Sequence, residues 1–454
     1  MNRLSNKAKW LYLLGVLFLV TLITLFITMD VNANKWVVKE YNQHIYHNGE
    51  LIGEGKITDR TGKRLVETVG NKRVYNSSAD VRKAMLHVVG DANGFISTGA
   101  QTAFKSQLTG YDFLNGLYGL NKDNKHDLAL TIDADLSVAA MKAMGSYHGT
   151  IGVYNYKTGE ILCAFSAPTF DIDNKPNIDT NSSQWDGVYM NRFFSGSFTP
   201  GSTFKTITTA CALENVSDIL NQTFYCPGYY TTRSGGTVKC NGVHGRESFE
   251  SGLNHSCNTQ FAKIAAEELT NEEMDKTADE FGFNKSINVN GIQCKASYFD
   301  LSKAYTLDRA WAGIGQFTTM VNPCHAITIM GAIANRNGRT PSPTILKKRI
   351  NLSSISYCKP DIARTLDDLL RSNVTNFYTD ARFPNLQMAG KTGTAQISNG
   401  KPHTWFVGYS QREDLPLAIV VVLEKSGGYG LTNAIPVANH VMQSALSLQS
   451  QLVS

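Results

Sequence analysis

Thr150-Ile-Gly-Val-Tyr-Asn155 and Glu160-Ile-Leu-Cys-Ala-Phe-Ser166, joined by Tyr156-Lys157-Thr158-Gly159, read as two β-strands around a hairpin turn. Three further strand-like runs, Lys391 to Ile397, Thr404 to Ser410 and Leu417 to Leu423, follow near the other end with short polar connections. Ala434 to Gln449 reads as a closing helix. The sequence between the two sheet pieces is mostly helical in pattern. The expected fold is therefore α/β (α+β): a five-stranded antiparallel sheet flanked by helices, with a large helical insertion forming a subdomain.

Upstream, Leu128-Ala-Leu-Thr-Ile-Asp133 and the helix pattern through Ala139 to Met144 mark the start of this main domain, placed at residues 127–454. Residues 30–126 are polar, rich in Gly and Asn, and carry short strand-like runs, which suggests a small extended β-rich module. Before it, Trp10 to Met29 is an uncharged apolar stretch, about 30 Å long as a helix and enough to cross a hydrocarbon core. Arg3, Lys7 and Lys9 precede it, so residues 1–9 are expected in the cytoplasm and everything after Met29 outside. A cleaved signal peptide is the rival, but the apolar run is longer than usual and no small-x-small site sits just after it.

The 454 residues are 42% hydrophobic and 18% charged, a globular composition. The net charge of +5 comes without basic runs or an aromatic-basic stripe, so no nucleic-acid partner is expected.

Three short elements carry candidate chemistry. Ser202-Thr203-Phe204-Lys205 follows Pro200-Gly201 and opens a predicted helix, which puts the serine at a helix N-terminus with the lysine one turn on. A neutral Lys205 amine there can take the proton of Ser202. Ser256-Cys257-Asn258 offers a hydroxyl to relay a proton and an amide to orient the lysine and a substrate carbonyl. Lys391-Thr392-Gly393-Thr394, at the start of a predicted strand, offers an ammonium and hydroxyls for a substrate carboxylate, with glycine admitting the ligand backbone. Each has a decoy elsewhere: Ser356 to Lys359, Ser286 to Asn288, and Lys157-Thr158-Gly159. Each alone is also explained by a helix cap, a loop amide or a solvent-facing lysine. Their order along the chain, with the last on a central sheet strand, is that of acyl-serine enzymes.

At this point the chain resembles the penicillin-binding transpeptidases, and within them the monofunctional class B kind, over nearly everything after Met29. Gly55-Lys-Ile-Thr-Asp-Arg60-Thr-Gly62 looks like the segment opening the class B pedestal, here in a reduced form. Asp133, Thr158 to Ile161, Pro168 to Asp171, Gly313 to Gln316 and His403 to Tyr409 look like further family landmarks.

The resemblance implies a peptidoglycan D,D-transpeptidase that cross-links stem peptides ending in D-Ala-D-Ala and is acylated by β-lactams. It casts Ser202 as nucleophile, Lys205 as its base, Ser256 as proton relay and Asn258 as orienting amide. Lys391, Thr392 and Thr394 would hold the terminal carboxylate beside Gly393, and the N–H groups of Ser202 and Thr394 would form the oxyanion hole. A SEDS-family glycosyltransferase partner and a bacterial membrane location come with it; no cofactor does. A D,D-carboxypeptidase, a serine β-lactamase and a non-enzymatic β-lactam receptor are the alternatives. Glu267 to Asn271 and Glu280 to Asn284 both match the spacing of a lactamase deacylation element.

All eight cysteines lie between Cys163 and Cys358. Cys226, Cys240 and His244 fit a disulfide with a bystander histidine, a zinc site lacking a visible fourth ligand, or reduced thiols. Cys257 is a possible fourth donor or simply a small buried residue, and the sequence alone assigns no metal.

Overall fold

The computed structural model describes residues 2–37, 46–47, 50–51, 55–70, 72–109, 126–179, 181–233, 235–347, 351–398 and 400–453. Parts of the small N-terminal module, residues 38–45 and 110–125 among them, lie outside these.

Helix α1 (Asn2–Val37) contains Lys7–Met29, which among the described residues is the one helix long and apolar enough to cross a membrane. Its apolar side chains are exposed on the protein, as a lipid-facing helix requires.

The Gly55 segment forms a four-stranded sheet in which Ile57–Thr58 pairs antiparallel with Arg64–Val69 and parallel with Leu128–Ala129. Asp59 Oδ1 accepts the N–H groups of Thr61 and Lys63 at 2.9 Å each, and its Oδ2 accepts that of Ala134 at 3.2 Å. Arg60 donates to the Gln451 carbonyl at 2.8 Å and pairs with Glu160. The segment thereby clasps both ends of the main domain.

This region also contains a helix the strand-like reading missed: α2 (Ala79–Val89), capped by Ser78. Its last five residues, Met85 to Val89, are all buried, which hides the helical period. It packs on α3 (Ala134–Met144), itself capped by the Asp133 carboxylate on Leu136 N–H at 2.8 Å.

The central sheet consists of β1 (His148–Asn155), β2 (Ile161–Ala167), β3 (Met388–Ala395), β4 (His403–Ser410) and β5 (Leu417–Glu424). Its order is β3-β4-β5-β1-β2, antiparallel throughout, as the strand-like runs anticipate. Alternation on β5 assigns the two faces. Leu417, Ile419, Val421 and Leu423 pack with α3 and the closing helix, while Ala418, Val420 and Val422 face the larger core.

The insertion between β2 and β3 supplies α4 (Lys205–Asn215), α5 (Asn258–Lys263), α6 (Pro323–Ala334) and α7 (Pro360–Asn373). α6 is almost wholly buried against β1, β4 and β5. α8 (Ala434–Ser447) covers the other face. β3 is thus an edge strand, flanked by the insertion, and carries Lys391 to Thr394.

Candidate active site

Ser202 lies in a 3₁₀ turn, Gly201–Phe204, that runs directly into α4. The sequence reading started the α-helix at the serine; a tighter first turn is common at helix N-termini. The Lys205 N–H reaches the Ser202 carbonyl, which fixes the one-turn relationship. Among the described residues the Ser202 hydroxyl, half-buried, makes no hydrogen bond.

Glycines allow this turn to sit on the sheet. Gly201 has φ +55, and a Cβ there would lie 2.6 Å from the Thr394 carbonyl oxygen. A Cβ on Gly393 would lie 2.4 Å from the Pro200 carbonyl. The absence of a side chain at Gly393 thus admits the serine turn against the strand. Trp405, on the neighbouring strand and within the core, donates its Nε1 hydrogen to the Thr199 carbonyl at 3.0 Å.

The lysines of the first and third elements converge on Ser256. Lys205 Nζ is 2.6 Å from the Ser256 carbonyl, 2.8 Å from Asn258 Oδ1 and 3.3 Å from Ser256 Oγ. Lys391 Nζ donates to the same Oγ at 2.9 Å. Both lysines are 0% exposed. Ser256 sits at φ +58, a conformation that costs a non-glycine residue about 1–3 kcal/mol and recurs at functional sites.

Burial dominates the electrostatics here. Desolvation pulls the Lys205 amine down to about 7, helped by the nearby Lys391 charge. Lys391 is likewise drawn to about 7 by desolvation. A neutral Lys205 has two N–H bonds, and the Ser256 carbonyl and Asn258 Oδ1 account for both. Its lone pair then remains to accept a proton.

Asn258 Oδ1 is kept on the lysine because its amide nitrogen donates to the Lys239 carbonyl at 3.1 Å. Along β3, Arg371 and Asn373 donate to the carbonyls of Met388 and Gly390, both at 2.7 Å, and the Thr392 N–H goes to the Tyr378 hydroxyl at 2.9 Å. Even-numbered residues of this strand therefore point their backbone away from β4, and the Thr394 N–H faces the open edge by the same alternation. Thr394 Oγ1 accepts the Gly430 N–H at 3.2 Å and keeps its own hydrogen free to donate. Arg371, Asn373, Tyr378 and Gly430 have no motif that would have revealed them.

The decoys stand apart. Lys359 is exposed and pairs with Glu214, Ser286 bonds to the Cys294 carbonyl, and Gly159 closes a hairpin at φ +85. Asn271 and Asn284 hold the carbonyls of Leu301 and Phe299, both at 2.8 Å.

All eight cysteines are free thiols. Four side chains meet beside the second element: Cys226, Cys240, His244 and Cys257 each offer a donor atom, all within 4.8 Å of one another. The disulfide reading is thus not realised in this structure, and Cys257 supplies the fourth donor that spacing did not show.

Buried lysines meeting on one serine hydroxyl, beside a second serine at a helix start and an open strand edge, make an arrangement chemically suited to acyl transfer. The chain belongs to the penicillin-binding protein transpeptidase domain family, whose pattern residues 149–443 match. It is 27% identical to stage V sporulation protein D of Bacillus subtilis over 70% of this chain and 53% of that protein. It is 26% identical to the peptidoglycan D,D-transpeptidase PbpA of Mycolicibacterium smegmatis over 78% of this chain and 80% of that one. Among solved structures, the D,D-transpeptidase domain from Eggerthella lenta superposes with TM-score 0.72 at 25% identity, covering 87% of this chain and 98% of that one. The penicillin G acyl-enzyme complex of penicillin-binding protein A from Mycobacterium tuberculosis gives TM-score 0.73 at 22% identity, covering 87% and 99%.

Proposed function

We propose that this protein is a peptidoglycan D,D-transpeptidase acting through an acyl-Ser202 intermediate and inactivated by β-lactams. The observation that carries the reading is the shared Ser256 hydroxyl, which receives Lys391 at 2.9 Å and lies 3.3 Å from Lys205.

Neutral Lys205 takes the Ser202 proton as the hydroxyl oxygen attacks the penultimate D-Ala carbonyl of a stem peptide. The N–H groups of Ser202 and Thr394 receive the oxyanion, each worth about 3 kcal/mol. Collapse breaks the amide bond; the proton passes from Lys205 through Ser256 to the leaving nitrogen, and D-Ala departs. Lys391, Thr392 and Thr394 bind its carboxylate. An amine on a neighbouring stem then attacks the acyl-serine ester, and the reverse proton path restores Ser202. A β-lactam ring opens without releasing a fragment, so its leaving nitrogen stays tethered where the acceptor amine should enter.

The helix Lys7–Met29 anchors the chain, with residues 1–9 inside and the catalytic domain outside, and residues 30–126 serve as its reduced pedestal. A SEDS-family glycosyltransferase is the proposed membrane partner, supplying the glycan strands that this chain cross-links.

Intact mass after benzylpenicillin treatment tests the reading. A persistent adduct of one penicillin on wild type and none on Ser202→Ala supports it. Rapid return to free protein with hydrolysed drug points to a lactamase, and no adduct sinks it. With a stem peptide, release of D-Ala without cross-linked product points to a carboxypeptidase; no turnover despite a stable adduct points to a receptor.

A further inference from the structure

We propose that Gln316 sets the acyl-donor specificity of this site: its amide occupies the edge of β3 just beyond Thr394 and stops the donor peptide from pairing further along the strand. The inference rests on the transpeptidase reading and adds to it a residue that the acyl-transfer steps do not use.

An edge strand offers its outward N–H and C=O groups to any extended peptide laid beside it, and each pair left open is a register such a peptide can use. On β3 those groups belong to the even-numbered residues, and side chains take them in turn. Asn373 holds the Gly390 carbonyl at 2.7 Å, and Tyr378 takes the Thr392 N–H at 2.9 Å. Past Thr394, the Gln316 amide donates to the Gln396 carbonyl at 3.3 Å and accepts the Gln396 N–H at 3.2 Å, the orientation in which both amide atoms meet a complementary partner. A primary amide, with donor and acceptor side by side, thus stands where the backbone of a paired strand would. The opening between these caps is Thr394.

The loop carrying Gln316 is built onto the serine turn. The Gly201 N–H donates to the Gly315 carbonyl at 3.0 Å, and a Cβ on Gly315, whose φ is +75, would lie 2.0 Å from the Gly201 carbonyl oxygen. The Gln316 N–H reaches the Trp311 carbonyl at 3.0 Å, and the Gln316 carbonyl accepts the Thr319 N–H at 3.3 Å. With both backbone groups held, the side chain reaches β3 from a loop fixed to the turn that bears Ser202. The candidate nucleophile and the stop are therefore parts of one unit, at a set spacing along the strand edge.

In the proposed mechanism the donor's terminal carboxylate lies on Lys391 and Thr392, and its acyl oxygen on the Thr394 N–H. The donor therefore runs antiparallel to β3, and the chain before its penultimate residue heads from Thr394 towards Gln396. The next outward groups lie two residues on, about 6.8 Å along the strand. An unblocked edge would form a second set of main-chain hydrogen bonds there and reward donors for backbone length. With Gln316 in that place, the donor pairs at one residue and its preceding chain has to leave the edge. Recognition is thereby confined to the end of the stem, whatever precedes it.

The test measures acylation of the full-length protein in detergent by two penicillins that share the nucleus and differ in side chain: benzylpenicillin, with a single side-chain amide, and a peptidyl penicillin carrying acetyl-Ala-Lys, whose backbone continues. Wild type is expected to react with the two at rates within about threefold of each other. Gln316→Ala frees the Gln396 groups, so the ratio of peptidyl to benzyl rates should rise about fivefold or more. In Gln316→Glu the carboxylate still accepts the Gln396 N–H but offers no hydrogen to its carbonyl, so the ratio should rise by a smaller factor. Because the readout is a ratio within one protein, a general loss of activity cancels. A ratio unchanged in both variants overturns the proposal and leaves Gln316 as a tie between loop and strand. So does a wild type that already reacts about tenfold faster with the peptidyl penicillin, a result that needs no variant to fold. A wild type that no penicillin acylates sinks the transpeptidase reading itself, and this role with it.

Discussion

The hydroxyl of Tyr378 accepts the backbone N–H of Thr392 at 2.9 Å and pairs with the Thr392 Oγ1 at 2.8 Å. Tyr378 is fully buried at the end of the segment after α7, so the outer edge of the strand bearing the third element, opposite β4, is pinned by a side chain rather than by another strand. If the phenol donates to Oγ1, the Thr392 hydrogen is left to point at a substrate carboxylate. Tyr378→Phe is therefore expected to lower stability by about 1–3 kcal/mol, the cost of stranding the N–H. It should slow acylation by benzylpenicillin about tenfold while affecting its carboxylate methyl ester much less. Equal losses for acid and ester would mean that Tyr378 supports the strand without orienting Thr392.

Lys205 and Lys391 both sit near 7 rather than at the ordinary 10.5, chiefly because they are buried. In the proposed mechanism acylation needs neutral Lys205, so its rate should rise with pH through about 7 and level off above it. Lys391 lowers the Lys205 value, so Lys391→Ala should move that limb to higher pH, whatever it does to the plateau. A limb that stays put or moves down would remove Lys205 as the base. Between about 7 and 10.5 the unfolded chain holds protons that the folded chain lacks, so these lysines make stability rise with pH across that window. Denaturant midpoints of wild type and Lys391→Met should diverge there.

Trp405 joins the sheet to the serine turn through its 3.0 Å hydrogen bond to the Thr199 carbonyl. Trp405→Phe keeps most of the core volume and removes that donor. The expected result is a stability loss of about 1–3 kcal/mol with a several-fold slower acylation, read by thermal unfolding and fluorescent penicillin labelling. Acylation at the wild-type rate would show that the turn is positioned without it.

The strands and the three candidate elements are legible because each is written locally: alternating apolar residues mark a strand, and serine, lysine, asparagine and glycine stand at fixed short spacings. Ser202, Lys205, Ser256, Asn258 and Lys391 could be named for that reason. The residues that complete the site are joined only by the fold. Arg371, Asn373 and Tyr378 cap β3 from 14 to 17 residues away, with ordinary helical neighbours. Cys257 is visible inside a motif, but only the approach of the Cys240 loop brings it within 3.9 Å of a second sulfur. Helix α2 was hidden because both flanks of its last turn are buried.

Gly201 carries the sharpest prediction. Its φ of +55 already disfavours any side chain by about 1–2 kcal/mol, and a Cβ would stand 2.6 Å from the Thr394 carbonyl oxygen, closer than atoms can approach. The contact is with strand backbone, so Gly201→Ala can be relieved only by moving the serine turn away from β3. That separates the Ser202 and Thr394 N–H groups, which act together on one oxyanion in the proposed mechanism. Loss of one such donor is worth about 3 kcal/mol, or roughly 10² in acylation rate. The variant should therefore fold, with a modestly lower unfolding midpoint, yet label with penicillin about a hundredfold more slowly than wild type. Wild-type labelling kinetics would mean that the turn tolerates displacement, and the oxyanion hole would then have to be sought elsewhere than between Ser202 and Thr394.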